Sequence, residues 1–85
     1  MNLGLENLKV KAIFTKENDG ITVTFPDFKG CITCGYNMEE AIKNSEEAIR
    51  LHLLGMIDDN EKIELDNNFA DINLNNNQKL IVLTL

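Results

Sequence analysis

The chain has 85 residues, of which 8 are basic and 14 acidic, so its formal net charge is −6. This length suffices for one small domain, and the ordinary apolar content of 44% excludes an intrinsically disordered chain. The acidic balance argues against DNA or RNA binding, because nucleic-acid affinity rests on clusters of basic side chains. The sequence has neither the roughly 20 apolar residues of a membrane span nor a signal peptide, so we expect a cytoplasmic protein.

Alternation of apolar and polar residues predicts two strands in the first part of the chain, at about 8–15 and 21–25. The intervening loop ends in Asp19-Gly20, a pair that suits a tight turn, so we expect an antiparallel hairpin. Pro26 cannot donate to a strand ladder and should end the second strand. A third, short strand is predicted over 31–34.

Asn37 predicts the start of a helix, because asparagine is a strong N-cap and Glu40 follows three residues later, as in a capping box. The helix should span about 38–58, with Asn60 closing it in the left-handed conformation. At helical spacing one face is apolar and the opposite face polar. The apolar face comprises Met38, Ala41, Ile42, Ser45, Ala48, Ile49, His52, Leu53 and Met56; the polar one comprises Glu40, Asn44, Glu47 and Asp58.

Residues 61–78 form an asparagine-rich connection that favours turns, and 79–85 are apolar on both faces, which predicts a strand covered on both sides. The element order is therefore βββαβ in one domain over residues 1–85. We expect an α+β fold of two layers, with the helix packed on one face of a small, largely antiparallel sheet.

No group of residues indicates catalysis, a metal or a cofactor. Cys31 and Cys34 have the spacing of a redox pair, but they precede the helix by several residues and would point to opposite faces of a strand. A zinc site needs four ligands, and the chain offers two cysteines and one histidine, His52. We therefore predict structural cysteines, a packed or capping histidine and no enzymatic activity.

Two leucines of the helix, Leu51 and Leu54, project towards its polar face. They have Glu40, Glu47 and Asp58 around them. One interpretation is a pair of exposed leucines without a role. The other is a small apolar spot surrounded by carboxylates, which would suit a basic protein partner.

A motif runs from the second strand into the helix and is similar to that of the HicB family of antitoxins, in which a strand ends in F-P-D, G-C and T-x-G follow, and a helix opens with E-E-A. The matching positions are Phe25, Pro26, Asp27, Gly30, Cys31, Thr33, Gly35, Glu39, Glu40 and Ala41. The resemblance implies a degenerate RNase H-like fold. It also implies a non-enzymatic role, in which the protein masks a small basic HicA-type mRNA interferase.

The resemblance makes Asp27 and Phe28 a second candidate patch for partner binding. Lys29 and Tyr36 depart from the usual motif. Typical family members continue into a DNA-binding domain, whereas here an asparagine-rich segment and one strand follow the helix, so we expect no operator binding. The alternative function is that of an orphan or phage-encoded inhibitor of another nucleic-acid-processing or defence complex. A homodimer or higher homo-oligomer is compatible with either function.

Overall fold

A computed structural model describes residues 7–65 and 72–85, so the middle of the predicted asparagine-rich connection, at 66–71, lies outside the described residues. The order of elements agrees with the sequence prediction. They are β1 (Lys9–Glu17), β2 (Gly20–Thr24), β3 (Ile32–Gly35), α1 (Met38–Asp58) and β4 (Gln78–Thr84). The fold is α+β, as expected.

The four strands form one antiparallel sheet in the order β3-β2-β1-β4, which places β3 and β4 at its edges. Phe14 of β1 lies opposite Val23 of β2, and Val10 of β1 lies opposite Leu83 of β4. These four side chains are buried, so they belong to the sheet face that meets the core. The hairpin between β1 and β2 is a tight turn at Asn18 and Asp19, as the sequence predicts.

Helix α1 packs on the β3 and β2 side of the sheet. Its fully buried residues, Ala41, Ser45, Ile49 and Leu53, all belong to the apolar face that the helical spacing predicts. The three apolar ones, Ala41, Ile49 and Leu53, form the hydrophobic core together with the inner residues of the strands. Asn44, assigned to the polar face, is half-buried at the margin of that face, and its side-chain amide donates a hydrogen bond of 2.8 Å to the carbonyl of Cys34 in β3.

Local hydrogen bonds fix both ends of the helix. The Asn37 side chain accepts from the Glu40 amide at 2.8 Å, as an N-cap does. At the other end Asn60 has φ of 57°, and its amide donates to the Ile57 carbonyl. The Glu61 amide donates to the Met56 carbonyl at 2.8 Å, which completes a Schellman motif. Both predicted caps are therefore confirmed.

Strand β4 differs from its prediction, because it is not covered on both faces. Leu83 is buried in the core, but Val82 on the opposite face is 43% exposed and Thr84 is exposed. Helix α1 covers only one face of the sheet, and β4 lies at the edge farthest from that helix. A run of apolar residues alone does not distinguish a strand inside a sheet from one at its edge.

Candidate functional site

The motif between β2 and β3 folds into two consecutive turns. The Phe28 amide donates to the Phe25 carbonyl at 3.0 Å, and the Cys31 amide donates to the Phe28 carbonyl at 3.2 Å. Gly30 has φ of 90°, a conformation that residues with a side chain rarely adopt. Pro26 is exposed at the start of the turns, just beyond the end of β2. Because it lies outside the strand, its lack of an amide hydrogen costs no hydrogen bond of the sheet.

Asp27, predicted as part of a partner patch, lies in a largely buried ion pair instead. Its carboxylate is 3.5 Å from the ammonium nitrogen of Lys11 in β1, and the two side chains are 11% and 5% exposed. A buried charge needs a partner of opposite sign, so this pair ties the turn to the sheet. The aspartate of the motif therefore has a structural role in the isolated chain.

Phe28 also faces inward. It is 4% exposed, and its ring meets that of His52 edge to face, with 5.7 Å between the ring centroids. This contact joins the turn to helix α1 and accounts for the only histidine as a packed residue. Because Phe28 is buried, its ring is not accessible to a partner at the surface of the isolated chain.

Gly35 permits the helix to begin close to the sheet. A Cβ atom at this position would lie within 3.0 Å of the backbone of Glu40 and Ala41, including 2.7 Å from the Cα atom of Ala41. The motif glycine and Ala41 therefore form a close approach of β3 to α1. Their small size sets the position of the helix above the sheet.

The two cysteines are free thiols in different environments: Cys31 is buried and Cys34 is exposed. Burial raises the pKa of the Cys31 thiol above its usual value, because the thiolate would lose its hydration. Within residues 7–65 and 72–85, no three histidine, cysteine or acidic side chains converge as metal ligands would. None of the helices in that part of the chain has the length and apolarity to cross a membrane.

One stripe of helix α1 remains exposed and carries four of the predicted partner-binding residues. Glu47, Leu51, Leu54 and Asp58 follow at spacings of four, three and four, which aligns them along the helix. Leu51 is 71% exposed, Leu54 is half-buried, and the two acidic residues are exposed. We call these four residues the acidic helix surface.

Glu40 lies on the same stripe but is engaged at the start of the helix. Its carboxylate accepts a hydrogen bond of 3.1 Å from the amide of Tyr36, which precedes the N-cap. The carboxylate is thus part of the capping arrangement rather than of the acidic helix surface. Of the seven predicted partner-binding residues, the structure brings four together and places Asp27, Phe28 and Glu40 in structural contacts.

Among the described residues, five exposed large apolar side chains lie outside every predicted patch, and three of them are more exposed than the other two, Ile57 and Leu74. Tyr36 is 82% exposed, Ile32 of β3 is 63% exposed, and Val82 of β4 is 43% exposed. Strand alternation could have indicated the exposure of Ile32, because residues two positions apart in a strand lie on the same sheet face. Ile32 shares its face with Cys34, which is exposed. Tyr36 has no such signal, because it lies between two elements, where no periodicity applies.

These features define a small α+β domain with a helix on one face of an antiparallel sheet. The turns between β2 and β3 have a structural role, and the exposed stripe of the helix is acidic. A family model described as HicB-like antitoxin of the bacterial toxin–antitoxin system matches residues 10–85. The chain therefore belongs to the HicB-like antitoxin family.

Individual curated proteins are also similar to parts of this chain. A UPF0150 protein of Thermoplasma acidophilum is 41% identical over 61 residues, which cover 71% of this chain and 88% of that protein. An uncharacterised 14.9 kDa protein of Haemophilus phage HP1 is 42% identical over 52 residues, which cover 61% of this chain. The matched segment spans only 39% of the phage protein.

Solved structures show the same fold. The N-terminal domain of the Burkholderia pseudomallei antitoxin HicB superposes with a TM-score of 0.73 at 22% identity, covering 92% of this chain and 98% of that domain. A chain of the HicA3 and HicB3 toxin–antitoxin complex superposes with a TM-score of 0.61 at 23% identity. That match covers 72% of this chain and 71% of the other.

Proposed function

We propose that this protein is an antitoxin that binds a small basic HicA-type mRNA interferase and masks it by protein contact, without catalysis of its own. The observation that carries the proposal is the family match over residues 10–85. It is supported by the complex of HicA3 with HicB3, one chain of which shares this fold. The net charge of −6 is complementary to a basic toxin.

The acidic helix surface is the contact region that we propose. Leu51 supplies an exposed apolar anchor, and Glu47 lies one helical turn before it. In protein interfaces an apolar centre contributes most of the affinity, whereas surrounding charges mainly steer association. Loss of the anchor should therefore raise the dissociation rate, and loss of a carboxylate should lower the association rate.

The test needs a purified HicA-type toxin and measurements of both rate constants at low and high salt. Leu51→Ala should weaken binding about tenfold or more, chiefly through faster dissociation. Glu47→Lys should slow association at low salt, with a smaller effect at high salt because screening shortens the range of the attraction. In cells, the same variants should protect less well against the toxin.

Two matched substitutions serve as controls. Leu74→Ala removes a leucine that is 40% exposed outside the helix, and Glu61→Lys reverses an exposed charge beyond the helix end. Both controls should bind as the parent does. If the Leu51 and Glu47 variants also bind normally, the contact region is elsewhere; if the parent binds no HicA-type toxin and gives no protection, the antitoxin proposal fails.

A further inference from the structure

A cleft of about 630 Å³ lies at the hairpin end of the sheet, beside the start of α1. Its lining includes Phe14 of β1, Ile21 of β2 and Met38 of α1, so part of its wall is apolar. Phe14 is buried in the core, which places the cleft on the sheet face that carries α1. A concave site of this size and lining can hold a small organic molecule.

Two exposed lysines, Lys16 and Lys79, line the same cleft. Lys79 of β4 lies opposite Phe14 of β1, and Lys16 follows Phe14 by two positions on the same sheet face. The two lysines are therefore diagonal neighbours, roughly 7–8 Å apart at the backbone. Neither forms an ion pair among residues 7–65 and 72–85. Because like charges at this separation repel, an anion between the two ammonium groups would be stabilised.

Two acidic residues also line the cleft, but neither pairs with these lysines. Glu17 follows Lys16 in β1, so its side chain points to the opposite sheet face. There its carboxylate accepts a hydrogen bond from the hydroxyl of Thr22. Asp19 lies in the exposed hairpin turn. The cleft is therefore a local site of positive charge on a chain whose net charge is −6.

An exposed aromatic ring lies at the other side of the cleft. Tyr36 is 82% exposed, and the carboxylate of Glu40 holds its backbone amide at 3.1 Å. Tyr36 directly follows Gly35, which lies opposite Ile21, and Ile21 in turn lies opposite Lys16. Because neighbouring strands are about 4.8 Å apart, roughly 10 Å of sheet separates the tyrosine from the lysines. A free aromatic face at this distance from two ammonium groups suits a ligand with a flat ring at one end and a phosphate at the other.

We propose that this cleft binds a nucleoside monophosphate, with the phosphate between Lys16 and Lys79 and the base against the ring of Tyr36. Asn18 and Asn76 also line the cleft, and their side-chain amides can donate to or accept from the edge of a base. The net charge of −6 favours a mononucleotide over an RNA strand, because a strand would extend its phosphates over acidic surface. This inference goes beyond the proposed antitoxin function and does not depend on it.

Isothermal titration calorimetry of the full chain with AMP and UMP measures this binding, and adenosine and inorganic phosphate serve as partial probes. Each nucleotide should bind about tenfold or more tightly than either partial probe, which makes only one of the two contacts. Because Tyr36 is the single tyrosine of a chain without tryptophan, the intrinsic fluorescence reports on this ring alone. The nucleotides should quench that emission after correction for absorption by the base, and phosphate should not.

Lys16→Gln and Lys79→Gln each remove one charge and should weaken AMP binding about tenfold, with little effect on adenosine. Tyr36→Ala should weaken it by a similar factor, whereas Tyr36→Phe keeps an aromatic face and should retain most of the affinity. Lys29→Gln is the matched control, because it removes an exposed lysine beyond the opposite end of β2. This variant should bind AMP as the parent does. All four positions are exposed, so circular dichroism should show the parent's fold in every variant.

Four results would overturn the proposal. The first is a parent chain that gives neither binding heat nor quenching with either nucleotide at millimolar concentration. In the second, both cleft lysine variants bind as the parent does, or Lys29→Gln weakens binding equally, which would indicate diffuse charge attraction. The third is inorganic phosphate that binds as tightly as AMP and ignores Tyr36→Ala, which would indicate a site for the anion alone. The fourth is an oligoribonucleotide that binds more tightly than AMP through the same lysines, which would assign the cleft to RNA.

Discussion

The same substitution, glycine to alanine, should have opposite effects at two positions of this chain. At Gly35 the added methyl group would lie 2.7 Å from the Cα atom of Ala41 and 2.9 Å from the carbonyl carbon of Glu40. Carbon atoms in contact are normally separated by about 3.5–4.0 Å. Because the neighbours are backbone atoms, the start of α1 would have to move by about 1 Å relative to β3.

Overpacking of this kind costs about 1–3 kcal/mol of the free energy of unfolding. In a domain of this size each kcal/mol changes the melting temperature by roughly 4–8 °C. We therefore expect Gly35→Ala to lower the melting temperature by roughly 4–24 °C. Thermal unfolding followed by circular dichroism measures this change directly.

Gly55 provides the matched control within the same chain. It lies in α1, is exposed, and has no atom within 4 Å of the position that a Cβ would take. Alanine there should stabilise the protein by up to about 1 kcal/mol, because glycine loses more backbone entropy in a helix. A melting temperature that rises in Gly35→Ala, or that shifts in the same direction in both variants, would refute the assigned contact between β3 and α1.

Three further predictions concern stability and thiol reactivity. Ile49→Ala should lower the free energy of unfolding by about 2–5 kcal/mol, because this residue is fully buried. Leu51→Ala, at an exposed position, should change it by less than about 0.5 kcal/mol. Equal effects of the two variants in urea titrations would contradict the assigned helix face. Asn37→Ala should cost about 1 kcal/mol through loss of the N-cap, and Asn37→Asp should retain most of that stability. Near neutral pH, iodoacetamide should label exposed Cys34 before Cys31, whose burial raises its pKa; peptide mass spectrometry showing the reverse order would count against this environment.

The pKa shift of Cys31 also sets the direction of a pH effect. The folded protein holds the thiol proton more tightly than the unfolded chain does, so this group contributes stability below the unfolded pKa of about 9.0. That contribution should decrease as the pH rises through the unfolded pKa towards the folded one. Cys31→Ala should not show this decrease, when the free energy of unfolding of each protein is compared with its own value at neutral pH.

Local patterns in the sequence determined the elements of this protein and their order. Strand alternation, the apolar stripe of the helix and its two caps depend on residues at most a few positions apart, such as Asn37 with Glu40 and Asn60 with Ile57. Such interactions are encoded within one short segment, so periodicity and capping rules identify them. The exposure of Leu51 was predictable for the same reason, because the helical spacing places it away from the sheet.

Contacts between distant segments were decided only by the tertiary structure. The Asp27–Lys11 ion pair, the burial of Phe28 against His52 and the hydrogen bond from Asn44 to β3 each join residues that are far apart in the chain. The position of β4 at the edge likewise depends on the order of strands in the sheet, which its own apolar residues do not encode. Sequence determined which segments are amphipathic, whereas the packing of one helix on one sheet face decided which of their polar and apolar groups remain exposed.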